Sequence, residues 1–139
     1  MKITIIRHPA VRLVTAKSKS FPDGNAEAFN AIESLLKTLR GRRFYGLIFE
    51  SEEGKDYYAG LVPDNEIEER RFIELGFPIM EIESGACARV KFFDWSSKTD
   101  QIASIFGAMI DEYGIDPSRP QMEFYRSRSE LHLLLPVPS

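Results

Sequence analysis

The chain has few of the residues that most often carry covalent or metal chemistry. It holds one cysteine, Cys87, and two histidines, His8 and His132, in 139 residues. A lone thiol cannot build a disulfide framework within the chain and suits a reducing compartment. No HExxH, CxxC or G-x-S-x-G pattern occurs. Gly41-Arg42-Arg43 lacks the spacing of a phosphate-cradling loop. No metal and no cofactor is therefore expected. Excess positive charge is missing too: the net charge is −3, and the one basic cluster, Arg40, Arg42 and Arg43, reads as cations at a helix end. A duplex binder needs clustered cations to displace phosphate counterions, and no separate helical reader is evident, so no nucleic-acid partner is expected. No apolar run approaches the roughly 20 residues that span a bilayer. The opening Met1-Lys2-Ile3-Thr4-Ile5-Ile6-Arg7 is charged too soon for a signal peptide. No membrane partner and a cytoplasmic location are expected.

What the chain does have is an internal repeat. Residues 1–63 run apolar strand, amphipathic helix, then two strands joined by a turn, and residues 79–137 run the same course. The first hairpin is Phe44–Phe49, a polar turn, then Tyr57–Pro63. The second is Gln121–Tyr125, a polar turn, then Glu130–Pro136. Apolar positions Ala28, Phe29, Ile32, Leu35, Leu36 and Leu39 recur at helical spacing and stop at Gly41. Ile102, Ile105, Phe106, Met109 and Ile110 form a second stripe that ends at Gly114. Pro9 bends or interrupts the first strand. Residues 64–78 are rich in charge around Ile67, Phe72 and Leu75, and read as a short helix or a solvated linker. The expectation is a single α+β domain: a duplicated strand–helix–strand–strand unit, an antiparallel sheet with two helices on one face, and a ligand groove on the other. The boundaries fall at about 1–63, 64–78 and 79–137. The seam between the repeats is the natural cleft.

Strand alternation assigns faces. Leu131, Leu133 and Leu135 share one, which should carry the helices, and Met122 and Phe124 are expected to join it. Glu123, Tyr125 and His132 then take the other face. Aligning the first hairpin with the second adds Tyr45, Phe49 and Tyr57 to the Glu123 side. Aromatic faces attract cations, and a carboxylate among apolar groups favours a cationic partner, because leaving it unpaired is costly. Aromatics also populate strands simply because they fit a pleated surface. Glu on an outer sheet face is ordinary, and Cys87 fits as a small buried hydrophobe.

The duplicated unit, Ile82-Glu83-Ser84-Gly85 before a strand, Trp95-Ser96-Ser97 at the entry to the second helix, and the endings Pro120–Tyr125 and Leu134–Val137 together resemble the GyrI-like small-molecule-binding superfamily. That superfamily includes the effector-binding domains of AraC-type and MerR-type bacterial regulators. The resemblance covers essentially the whole chain. It implies a ligand groove in which the acid of a Glu-x-Tyr strand, here Glu123 beside Tyr125, contacts cationic lipophilic ligands. Many members carry a second acid where this chain has His132. Regulator members add a DNA-binding domain, some stand-alone relatives are hydrolases, and the haem-binding SOUL family shares the fold. The reading is a stand-alone protein holding a partly apolar small molecule. Glu123 supplies charge, Tyr45, Phe49, Tyr57, Tyr125 and Trp95 supply walls, and His132 a polar contact. The alternatives are a hydrolase with Glu123 as general base and Tyr125 or His132 as proton donor, and a protein-interaction module.

Overall fold

The computed structural model describes residues 1–139. Each half of the chain runs two strands, a helix and two strands. The first comprises β1 (Thr4–His8), β2 (Val11–Lys17), α1 (Asn25–Glu33), β3 (Phe44–Ser51) and β4 (Gly54–Leu61). The second comprises β5 (Ile79–Ile82), β6 (Gly85–Phe93), α3 (Ile102–Tyr113), β7 (Gln121–Tyr125) and β8 (Glu130–Pro136), with α2 (Glu66–Glu74) between the halves. Every strand pairing is antiparallel, in the order β1-β6-β8-β7-β3-β4-β2-β5. The expected α+β class with a duplicated unit is what the chain adopts.

Pro9 does more than bend a strand. It separates β1, at one edge of the sheet, from β2, near the other. The sheet must curl to allow this. His8 of β1 meets Tyr45 of β3, its Nε2 3.2 Å from the hydroxyl, although those strands lie four places apart and would be roughly 19 Å apart in a flat sheet. The curl encloses an inner face whose side chains pack on one another: Leu13, Tyr45, Leu47, Ile82, Cys87, Met122 and Leu134. The outer face carries the helices. Phe106 and Met109 of α3 pack on Leu131, Leu133 and Leu135, with Ile48 and Phe29 in the same cluster. Ala28 and Ile32 of α1 pack on Val14, Ala59 and Leu61. Leu131, Leu133 and Leu135 are fully buried, each stabilising the fold by roughly 2 kcal/mol relative to exposure.

Three expectations change and one open alternative is resolved. Helix α1 ends at Glu33 rather than near Leu39. Leu35 and Leu36 follow in tight turns, bonding back to Ile32 and Glu33 carbonyls, and pack against the α1 cluster. The Arg40–Arg43 cluster is therefore not at a helix end. Arg42 donates instead to Glu68 of α2, Nη1 to Oε2 at 3.1 Å. Of the two forms expected for the linker, residues 66–74 take the helical one. The Asn65 side chain caps it, accepting from the Glu68 amide at 2.9 Å, and three glutamates in its first turn suit the dipole. Finally, the β7–β8 register pairs Met122 with Leu134, Glu123 with Leu133, Phe124 with His132 and Tyr125 with Leu131. Met122 and Phe124 thus lie on the inner face, and Glu123 and Tyr125 lie on the leucine face, beneath the helices.

Candidate functional site

Strands β3 and β7 join the two halves, and Glu123 sits at that seam. Its cross-strand neighbours are Gly46 and Leu133. Helix α1 packs to one side, over β4 and β2, and α3 to the other, over β8. Glu123 is only 6% exposed. Tyr57 donates to its Oε1 at 2.6 Å and Tyr125 donates to the same oxygen at 2.9 Å. The two hydroxyls are 3.2 Å apart. Gly46 makes the triangle possible, because a β-carbon there would overlap the Tyr57 hydroxyl and Glu123 Oε1. Both donors converge on one oxygen, so Oε2 keeps its bonding capacity free.

No cationic side chain faces this carboxyl. Burial pushes the Glu123 pKa above its ordinary value, and the two tyrosine hydrogen bonds only partly oppose that. Burial, reinforced by the Glu123 charge, raises the Tyr57 and Tyr125 hydroxyls far above their ordinary value, so both remain donors at any physiological pH. Aromatic rings surround the triangle. Phe29 of α1 meets Tyr57 and Tyr125 edge-on, at ring-centre distances of 6.2 and 5.3 Å. Phe21 lies 5.5 Å from Tyr57. Trp95, in a single helical turn (Trp95–Ser97) before α3, lies 5.2 Å from Tyr125. The Trp95 Nε1 and Asn25 Oδ1 atoms are buried without a partner.

The expected site residues therefore divide between two faces. Glu123, Tyr125, Tyr57 and Trp95 come together on the outer face. Tyr45, Phe49 and His132 do not join them, because Tyr45 pairs with Phe124, Phe49 packs on Tyr58, and His132 packs on Phe124 and meets Glu130. Reasoning from sequence missed Phe29 and Phe21. Phe29 was part of an apolar stripe and read as core, while Phe21 sits in turn chemistry. Only the position of α1 over the seam reveals either.

The seam thus brings together a buried carboxyl with one free oxygen, two neutral hydroxyl donors and a surround of aromatic rings, between two helices. The fold around it is shared with solved structures of low sequence identity. Among solved structures, SAV2435 bound to tetraphenylphosphonium superposes with a TM-score of 0.70 at 15% identity, over 100% of this chain and 95% of that one. The C-terminal domain of EcmrR superposes with a TM-score of 0.65 at 10% identity, over 99% and 98%. A hydrolase from Listeria innocua does so with a TM-score of 0.63 at 18% identity, over 99% and 92%. No family model matches the chain. No curated protein matches it.

Proposed function

We propose that the protein binds a lipophilic cation at the seam, with Glu123 as its charge partner and Tyr57, Tyr125, Phe29 and Trp95 as its aromatic walls. One observation carries this reading: a buried glutamate that neutral hydroxyls hold and no cation neutralises. Such a carboxyl is unfavourable when ionised in the empty protein. A desolvated cation entering beside Oε2 relieves that cost and also meets the faces of aromatic rings. The tetraphenylphosphonium held by SAV2435 is a molecule of this chemistry. Glu123 is only 6% exposed, so entry requires the side chains packed around it to move. The two repeats then act as the two walls of one cleft.

The test is a titration of tetraphenylphosphonium into the wild type and Glu123→Gln, beside uncharged triphenylphosphine oxide. Losing a desolvated charge pair should weaken the cation by about 2–5 kcal/mol and leave the uncharged compound nearly unaffected. Equal cation affinity in both proteins would remove Glu123 from the site.

A second reading has one observation in its favour. A glutamate with a raised pKa, bonded to two tyrosines, is also equipped to take a proton from an attacking water, and Tyr125 is in place to return one. Turnover of a reactive electrophile that disappears in Glu123→Gln would support a hydrolase.

A further inference from the structure

We infer that the inner face of the curled sheet is a second binding site, separate from Glu123, that takes a planar aromatic anion such as a bicyclic aromatic carboxylate. The site is built from a cross-strand row, Lys91–His132–Phe124–Tyr45, formed by the pairings of β6 with β8, β8 with β7 and β7 with β3. Its rings are in contact in sequence. Tyr45 and Phe124 are tilted at 4.9 Å between centres, and Phe124 and His132 meet edge-on at 5.8 Å. Tyr45 is buried, while Phe124 and His132 are partly open. The floor is therefore a polarisable surface on which a flat aromatic body stacks.

The charge around this floor runs against the balance of the chain. The net charge is −3, yet β6 alternates Ala88 and Val90 onto the outer face and so places Arg89 and Lys91 on the inner one. Arg89 forms no hydrogen bond, and its Nε is shielded from solvent without a partner, which leaves a guanidinium donor unanswered. The ring of His8, against Tyr45 at 5.9 Å, likewise has its buried Nδ1 unpartnered. The carboxylates of this face are Asp56, opposite Phe49 and 3.7 Å from the Lys17 ammonium, and Glu130. His132 already engages it, and the positive charges of Lys91 and Arg126 help hold it below its ordinary pKa. A carboxylate ligand would meet Arg89 in the fork geometry that guanidinium favours, with Lys91 as a second charge. A cation would be repelled here, so the two faces of one sheet select ligands of opposite sign.

The probe is 2-naphthoate, titrated into the full chain and followed by amide chemical shifts, with Arg89→Gln, Lys91→Gln and Glu123→Gln as variants. Shifts should cluster at Tyr45, Phe124 and His132. Arg89→Gln and Lys91→Gln should each weaken binding by about fivefold, the scale of a partly exposed charge pair, and Glu123→Gln should leave it unchanged. Lys91 is exposed, so its variant tests the site without endangering the fold. Absence of saturable binding, affinity unchanged in both cation variants, or shifts clustered at Tyr57 and Tyr125 would each overturn the inference.

Discussion

Glu123 is kept in place by two tyrosine hydroxyls, and burial raises its pKa. Its raised pKa has a definite consequence for stability. The unfolded chain releases this proton near the ordinary value of 4.5, whereas the folded chain holds it to higher pH. Between those two values the native state binds more protons, so stability falls as pH rises through the window and levels off above the folded pKa. Each unit by which the pKa is raised is worth about 1.4 kcal/mol. Glu123→Gln removes this dependence while keeping an oxygen for both tyrosines. The variant should melt with the wild type near pH 4.5 and above it at about pH 8, where an unpaired carboxylate is costly. A variant that melts lower at the higher pH would mean that Glu123 is a structural anchor. Cation binding should run the other way: affinity rises with pH through the same window, because the ionised form is the one that binds, and a proton leaves as the cation enters.

At the scale of elements, the triangle of Glu123, Tyr57 and Tyr125 depends on one glycine in β3. Gly46 faces Glu123 across the seam, and the space a side chain would fill holds the Tyr57 hydroxyl and the carboxylate. Gly46→Ala should destabilise the protein by about 1–3 kcal/mol, the usual cost of overpacking, and should weaken cation binding by splaying the triangle. Thermal melts and the same titration check both. An alanine variant with unchanged stability and affinity would show that the triangle is not tightly built. Much of the element layout was legible beforehand, because turn residues and apolar periods mark it: both hairpins, both amphipathic helices and the Gly114 stop. The face of Glu123 was not. A one-residue change in register carries every side chain of a strand to the opposite face. The loop between Tyr125 and Glu130 sets that register, through Arg126 and Ser127 amides that both donate to the Glu130 carbonyl. Nothing in the residue types of that loop announces the offset. The early end of α1 was hidden for a related reason: Leu35, Leu36 and Leu39 continue a helical period although the backbone has left the helix.

At the scale of the molecule, duplication creates the seam that holds Glu123, and curling separates its two faces. Pairing β3 with β7 puts one helix from each half on either side of Glu123. Passing the chain from β1 across to β2 rolls the opposite face inward, so Tyr45, Phe49 and His132 belong to an interior of their own. Sequence periodicity finds residues that share a strand face, but curvature arises from pairings between distant strands, such as β1 with β6 and β2 with β5, which no local pattern encodes. The proposed position of a cationic ligand is the seam on the outer face. The most direct measurement is the set of intermolecular nuclear Overhauser contacts from the phenyl protons of tetraphenylphosphonium in the bound complex. Contacts to the side chains of Tyr57, Tyr125, Phe29 and Trp95 are expected. Contacts confined to Tyr45, Phe124 and His132 would contradict it.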